Sequence, residues 1–82
     1  MKILFFGSLR EQLGTGELEL TLPDHVQTVS DLVSTLKQRG EQWQQGLGQG
    51  QFLCAINQVM TVDTASLSDN DELALFPPVT GG

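Results

Sequence analysis

The stretch Thr28–Gly40, with the sequence TVSDLVSTLKQRG, carries the clearest signals of secondary structure in the chain. Thr28 and Asp31 have the spacing of a capping box, in which a hydroxyl and a carboxylate bond the free backbone N–H groups at a helix start. Gly40 ends the predicted helix. The apolar residues between them follow helical spacing along one face: Val29, Leu32, Val33 and Leu36. Because that apolar stripe is only one face wide, the stretch predicts a helix lying on a sheet rather than inside a bundle.

Two segments before this helix have the pattern of β-strands. Lys2–Phe6 is apolar after its first residue, and a glycine follows it. Glu17–Leu22 alternates leucines with polar residues, which predicts a half-buried strand that forms a hairpin with the first. Between them, Ser8 and Glu11 also have capping-box spacing. They predict a helix of one or two turns that ends at Gly14.

The second half of the chain adds three predicted strands. Phe52–Asn57 is almost entirely apolar, which predicts a strand covered on both faces, and Val59–Val62 and Glu72–Phe76 predict two more. Trp43 indicates only a short helical turn, and whether its ring lies in the core or on the surface is left open. Strands combined with one main helix that packs on one face of the sheet define an α+β fold. We expect a single domain over residues 1–76.

Composition narrows the function classes. The chain has 82 residues and a formal charge of −6, with four Lys and Arg against ten Asp and Glu. Nucleic-acid binding requires a basic surface, so we expect no nucleic-acid partner. The apolar run after Lys2 is too short for a signal peptide or a membrane span. The single cysteine, Cys54, lies among apolar residues and indicates a buried thiol in a reducing cytosol.

No group of residues has the pattern of a catalytic or metal site. The glycines at 46, 48 and 50 lack the spacing of a nucleotide-binding loop, which indicates an ordinary loop. His25 is the only histidine and has no further metal ligands at suitable spacing. Asp69, Asp71 and Glu72 do not match a calcium-binding loop and indicate a turn. We therefore expect no metal, no stably bound cofactor and no enzymatic activity of the chain on its own.

The C-terminus is the remaining candidate for chemistry. Pro77 and Pro78 lack backbone N–H groups, so the last strand must end at Phe76, and they hold the following chain extended. We expect residues 77–82 to form a flexible tail that reaches roughly 20 Å, at about 3.3 Å per residue. Glycine lets the backbone enter a channel too narrow for side chains. The tail is predicted to insert into a partner's active site through Pro77, Pro78, Val79, Thr80 and Gly81, with the carboxylate of Gly82 at its end.

The chain resembles the small subunits of molybdopterin synthase, a family of ubiquitin-like sulfur carriers with the β-grasp fold. The resemblance covers the whole chain and rests on four segments: Leu4–Phe6 with Leu9–Glu11, Ala55–Gln58, Asp69–Glu72, and Phe76–Gly82. The last segment, FPPVTGG, is the most specific of these. Family members often carry two aromatic residues before the prolines, where this chain has Leu75 and Phe76. The resemblance implies a mixed β-sheet.

The resemblance also implies a cycle of reactions at Gly82. A ubiquitin-activating-like adenylyltransferase would use ATP to adenylate the carboxylate, and a sulfur donor protein would convert the adenylate to a thiocarboxylate. The large subunit of molybdopterin synthase would then bind the carrier. Sulfur would pass to a cyclic pyranopterin precursor and form the dithiolene of molybdopterin. In this cycle Gly82 carries the reacting group, and the catalysts belong to its partners.

Strand alternation predicts a surface for these partners. Lys2 shares one face of the first strand with Leu4 and Phe6, and a lysine indicates that this face meets solvent. The same alternation places Phe76 on the outer side of the last strand. We expect these three apolar residues to form a partner-binding patch on the sheet face away from the helix, with Arg10 and Met60 near its edge. Exposed apolar patches on small proteins often mark interfaces.

Three other functions are compatible with a terminal Gly-Gly. A sulfur carrier for another pathway, such as thiamine synthesis, is the nearest, although such carriers usually lack the Pro-Pro-Val-Thr segment. A ubiquitin-like modifier would be joined to lysines of target proteins and would leave isopeptide adducts. A plain interaction domain with an inert tail would carry no modification. The mass of the protein isolated from cells separates the sulfur carriers from the modifier and from the inert domain.

Overall fold

The computed structural model describes residues 1–48 and 52–77, which form five strands and three α-helices in this part of the chain. The elements in chain order are β1 (Lys2–Phe5), α1 (Gly7–Leu13), β2 (Glu17–Glu19), α2 (Val29–Leu36), a 3₁₀ turn (Lys37–Arg39), α3 (Glu41–Leu47), β3 (Leu53–Ile56), β4 (Val59–Thr61) and β5 (Glu72–Phe76).

The five strands form one mixed sheet in the order β2-β1-β5-β3-β4. The central strands β1 and β5 are parallel, with Leu4 beside Ala74. The other three neighbouring pairs are antiparallel, including β1 with β2. The predicted α+β class and the pairing of the first two strands are therefore confirmed.

The hydrophobic core lies between the helices and one face of the sheet, which we call the inner face. Strands β1 and β5 contribute four side chains that are almost completely buried: Ile3, Phe5, Leu73 and Leu75. The apolar stripe of α2 packs on them with Leu9 and Leu13 of α1. Because the helices occupy the inner face only, no other element of residues 1–48 and 52–77 covers the opposite face, which we call the outer face.

The two predicted capping boxes have opposite outcomes. At the start of α2, the Thr28 hydroxyl accepts a bond from the Asp31 N–H at 3.1 Å, and the Asp31 carboxylate accepts one from the Thr28 N–H at 3.2 Å. That prediction is confirmed. The box at Ser8 and Glu11 is wrong, because α1 begins at Gly7 and Phe6 occupies the N-cap position without a side-chain bond. Ser8 lies inside the helix, where its hydroxyl cannot cap the first turn.

Three further predictions are corrected in extent. Strand β2 ends at Glu19 rather than Leu22, although the leucines at 18, 20 and 22 still pack against the core. The region around Trp43 is the seven-residue helix α3 rather than a short turn, so the inner face carries more than one main helix. Trp43 is buried, with 9% of its surface exposed, and meets Phe5 edge to face at 5.6 Å. The guanidinium of Arg39 covers the indole at 5.0 Å.

Candidate functional site

The root of the tail lies beside the end of β1. Because β1 and β5 are parallel, Phe6 and Phe76 leave the sheet at the same edge. Their rings stack with centroids 4.8 Å apart and planes 10° from parallel. The Phe6 N–H donates to the carbonyl of Leu75 at 3.1 Å. The last residues of the domain are thus held by both backbone and aromatic contacts.

Pro77 rests directly on Gly7. A Cβ atom placed on Gly7 would lie 3.0 Å from Cγ and 3.3 Å from Cδ of the proline ring. The backbone of Gly7 is also in the left-handed region, with φ +59°, which glycine adopts readily and other residues do not. Two independent constraints therefore favour glycine where the tail leaves the domain. Sequence reasoning treated Gly7 only as the end of a strand.

An apolar depression of about 300 Å³ occupies the outer face next to the tail root. We call its apolar residues the outer surface: Leu4, Phe6, Ala55, Met60, Ala74 and Phe76. Two of these side chains are substantially exposed, Phe6 at 41% and Met60 at 58%. Gln58 and Glu72 complete the rim. The structure therefore brings together four of the five residues predicted for partner binding, while binding itself stays a prediction.

Arg10, the fifth, lies elsewhere. Its side chain is exposed on α1 and lines a separate depression of about 590 Å³ with the turn that follows that helix. The guanidinium group packs beside Gly16, where an added Cβ would lie 2.9 Å from Nε. Arg10 therefore flanks the tail root on the side of α1, not on the outer surface.

Two apolar residues extend this region in a way that the sequence did not predict. Leu53 lies opposite Phe76 in the register of β3 and β5, and 40% of its surface is exposed. The prediction that β3 is covered on both faces is therefore wrong for the outer face. Val62 follows Met60 by two residues, so it lies on the same side of β4, and it is 64% exposed. The strand alternation that revealed Leu4 would have revealed Leu53, had β3 been treated as half-exposed.

The other end of the outer face is charged. The Nζ of Lys2 lies 3.5 Å from a carboxylate oxygen of Glu17 on β2. Glu72 stands beside Lys2 in the register of β5 and β1, and Glu19 stands opposite it on β2. The face thus divides into an apolar end at the tail root and a charged end at the start of β1. A partner that follows the tail would meet the apolar end first.

Polar groups outside this surface have structural roles. Burial raises the pKa of the Cys54 thiol, the charge of Asp63 adds to the rise, and the thiol donates to the carbonyl of Thr61 at 3.5 Å. The thiol is therefore a buried, protonated group, which agrees with its predicted role as a small hydrophobic residue. Asn57 donates to the Asp71 carboxylate at 2.9 Å, and this bond lowers the pKa of Asp71. These bonds link the β3–β4 turn to the segment before β5.

Within residues 1–48 and 52–77, no three His, Cys, Asp or Glu side chains are grouped closely enough to hold a metal ion. No helix in the same ranges is both long and apolar enough to cross a membrane. His25 is exposed. The predicted reacting group, Gly82, and the predicted inserting residues Pro78, Val79, Thr80 and Gly81 lie outside the described residues.

Comparison with known proteins agrees with this architecture. The fold is the ubiquitin-like β-grasp fold: the small archaeal modifier protein 1 of Haloferax volcanii superposes with a TM-score of 0.72 at 25% identity, over 96% of this chain and 97% of its own. Subunit 1 of molybdopterin-converting factor from Helicobacter pylori, solved in complex with subunit 2, has the same fold, with a TM-score of 0.63 at 23% identity over 99% and 96% of the two chains.

The chain belongs to the ThiS family, whose pattern it matches over residues 3–82. It is 37% identical to the molybdopterin synthase sulfur carrier subunit of Haemophilus influenzae and 38% identical to that of Escherichia coli. Each alignment covers 100% of this chain and 99% of the relative. The resemblance found in the sequence to molybdopterin synthase small subunits is thereby confirmed.

Proposed function

We propose that this protein is the sulfur carrier subunit of a molybdopterin synthase. One observation carries the proposal: the identity of 37–38% with two sulfur carrier subunits extends over the whole chain, and the family match runs through the terminal Gly-Gly. A domain that merely shared the fold would not need this terminus. The geometry supports the proposal, since the tail leaves the domain beside an exposed apolar surface.

The proposed chemistry takes place at the carboxylate of Gly82. A carboxylate is a poor electrophile, so an activating enzyme joins it to AMP from ATP and releases pyrophosphate. A sulfur donor protein then displaces AMP and leaves a thiocarboxylate. The terminal sulfur next attacks a carbon of the cyclic pyranopterin and displaces an oxygen substituent. Hydrolysis of the thioester that this forms leaves the sulfur on the pterin and returns Gly82 to a carboxylate. The tail raises the effective concentration of sulfur at the acceptor because the reacting atom is tethered to a bound domain.

The outer surface is the proposed docking site for the large synthase subunit. Its stacked phenylalanines combine aromatic area with a fixed orientation, which is typical of residues that dominate interface energies. Leu53 and Val62 enlarge the contact toward β4, and Arg10 offers a positive charge on the other side of the tail root. The net charge of −6 favours association with a basic partner surface. We place the cycle in the cytosol, where a lone buried thiol such as Cys54 stays reduced.

The decisive test is the intact mass of the protein isolated from cells supplied with sulfur. We expect a fraction heavier than the encoded chain by the replacement of one oxygen with sulfur, and fragmentation should place the change at Gly82. The variant that lacks Gly82 is the matched control and should show no such species while it retains its fold by circular dichroism. Persistent absence of the sulfur-containing form from the wild-type chain would overturn the proposal.

A protein modifier is the second candidate, because the structural relatives include a small archaeal modifier protein at 25% identity over 96% of the chain. This function predicts isopeptide bonds between Gly82 and lysines of other proteins. Digestion of a cell extract, followed by mass spectrometry of branched peptides, would detect them. A thiamine-type carrier is distinguished by complementation, since it would restore a thiamine-requiring strain and not one that lacks the molybdopterin synthase small subunit.

A further inference from the structure

The junction between Gly7 and Pro77 has a geometry that the fold alone does not require. α1 could begin with any residue of negative φ, yet Gly7 has φ +59° and carries the proline ring against its backbone. Phe6, the residue before Gly7, makes two contacts next to this one: its ring stacks on Phe76, and its N–H donates to the carbonyl of Leu75. The chain therefore leaves the sheet through a fixed path as far as Pro77.

We propose that Gly7 is a positioning residue for the tail: its bare backbone seats the Pro77 ring and sets the direction in which the chain leaves the domain. This inference rests on the proposed function of Gly82, which must reach the active sites of two enzymes. The proline ring is rigid and its φ is restricted, so a ring held against α1 aims the residues that follow. A side chain at position 7 would push the ring away and turn the tail.

The expected benefit is a smaller set of tail directions before docking. A tail with a free root would have to lose more orientational freedom when it enters a partner's channel, and this loss opposes binding and reaction. When Pro77 is held against Gly7, part of this orientational freedom is already lost in the free protein. The outer surface and the tail root then approach a partner in one fixed relation.

The first experiment measures the tail in the absence of any partner. A nitroxide attached through Glu11→Cys on α1 would broaden amide signals in a distance-dependent way, while the buried Cys54 stays unlabelled. We compare wild type, Gly7→Val and Gly14→Val by the broadening at Thr80, Gly81 and Gly82. Gly14 is the matched control, since it also has positive φ (+75°) and caps the other end of the same helix, but the nearest contact of an added Cβ would be the Gln42 Nε2 at 3.8 Å.

We expect Gly7→Val to change the broadening pattern of the tail, and Gly14→Val to leave it as in the wild type. Both variants introduce a β-branched residue at a left-handed position, so general loss of stability affects both alike. A tail pattern for Gly7→Val that matches the wild type would overturn the inference, whatever the carrier's function is. So would an equal change in both variants.

The second experiment uses the activating enzyme and ATP, and follows release of pyrophosphate with each variant as substrate. We expect kcat/KM to fall roughly tenfold for Gly7→Val, since small misplacements of reacting groups slow enzymes strongly, and to stay near the wild-type value for Gly14→Val. Pro77→Ala is measured alone and combined with Gly7→Val. If the Pro77 ring transmits the effect, Gly7→Val lowers kcat/KM less in the Pro77→Ala background than in the wild type. An equal loss of kcat/KM in both backgrounds would contradict the proposal that Gly7 acts through the Pro77 ring.

The two proposals fail in different ways. If the activating enzyme does not adenylate even the wild-type chain, the proposed function is overturned, while the nitroxide measurement still decides whether Gly7 directs the tail. If the wild type is adenylated and Gly7→Val is adenylated equally well, the sulfur carrier stands and the positioning role of Gly7 is overturned.

Discussion

The inner and outer faces of the sheet are built from the same strands but have different roles. In β5, Leu73 and Leu75 point to the inner face and are completely buried, whereas Ala74 and Phe76 lie on the outer face and keep part of their surface exposed. Leu75 and Phe76 are neighbours in sequence. One closes the core under the helices, and the other stacks on Phe6 beside the tail root.

This difference separates stability from association. The inner face derives its free energy from apolar area removed from water within the chain. The outer surface leaves comparable side chains available, and the same hydrophobic effect can act only when a partner covers them. Substitutions on the two faces should therefore affect different measurements, which makes the comparison testable.

The largest expected effect is on the inner face. Leu75→Ala removes a fully buried side chain and leaves a cavity among Phe5, Leu73 and the helices. We expect the free energy of unfolding to fall by about 2–5 kcal/mol, measured by urea denaturation. Phe76→Ala is the neighbouring comparison and should cost much less, about 1 kcal/mol from the lost stacking. Equal losses would show that the outer face also holds the fold together.

Phe76→Ala should have its main effect on docking. The ring lies at the centre of the proposed interface, so we expect binding to the large synthase subunit to weaken by about 2 kcal/mol, or roughly thirtyfold in Kd. Isothermal titration calorimetry measures this directly. Leu75→Ala, examined at a temperature where it stays folded, should bind within a few-fold of wild type. An unchanged Kd for Phe76→Ala would remove the outer surface from the interface.

Two valines, one at the start of β4 and one directly after its end, test the comparison at the edge of the sheet. Val59 and Val62 are similarly exposed, at 67% and 64%, but Val62 shares the side of Met60, whereas Val59 is paired with Ile56 on the other side. We expect Val62→Ser to weaken docking by about 1 kcal/mol and Val59→Ser to leave it unchanged. If both substitutions weaken binding equally, the partner contacts the edge of β4 rather than the outer face.

Removing the N-cap of α2, one of the helices on the inner face, should destabilise the protein. Thr28→Ala removes the hydroxyl that caps α2, and we expect a loss of about 1 kcal/mol in unfolding free energy. Ser8→Ala has the same local spacing but caps nothing, so its effect should stay within about 0.5 kcal/mol. Urea denaturation compares the two, and docking should be unaffected by Thr28→Ala. A larger cost for Ser8→Ala would contradict the placement of α1.

The smallest effect concerns pH. Backbone bonds from Gln27 and Thr28 hold the pKa of Asp31 below its ordinary value of 3.8. A lowered folded-state pKa stabilises the protein above the unfolded-state pKa, and this contribution is lost as pH falls through the folded-state pKa. Asp31→Asn should therefore lose less stability than wild type on acidification from neutral pH to below 3.8. Urea denaturation at a series of pH values measures this, and an equal loss of unfolding free energy in the two proteins would contradict the prediction.

Helix starts illustrate how far local sequence can be trusted. Thr28 and Asp31 form their capping box because Thr28 is itself the extended residue directly before the first turn of α2, where its hydroxyl reaches the Asp31 N–H. Ser8 and Glu11 have equivalent spacing, but the chain enters α1 directly from β1, so Phe6 takes the N-cap position and the helix begins earlier. The same spacing thus succeeds or fails according to where the preceding strand ends.

The candidate site was predictable in part for a related reason. Alternation in β1 and β5 correctly placed Leu4, Phe6 and Phe76 together, since each strand contains a polar residue that marks its outer side. β3 contains no such residue, so Leu53 was assigned to the core. Arg10 was misplaced because its position depends on the turn of α1, which strand alternation does not describe.

By itself, the sequence determined the α+β class, the N-terminal cap of α2 and the Pro-Pro and Gly-Gly segments, because these signals are local or covalent. It placed the end of this helix at Gly40, whereas α2 ends at Leu36 and a 3₁₀ turn continues to Arg39. It also carried the family resemblance, which the full-length comparison bears out. Only the tertiary structure decided that β1 and β5 run side by side, that Trp43 meets Phe5, and that Pro77 rests on Gly7. Those contacts join residues far apart in the chain, and their energies depend on packing that no local pattern records.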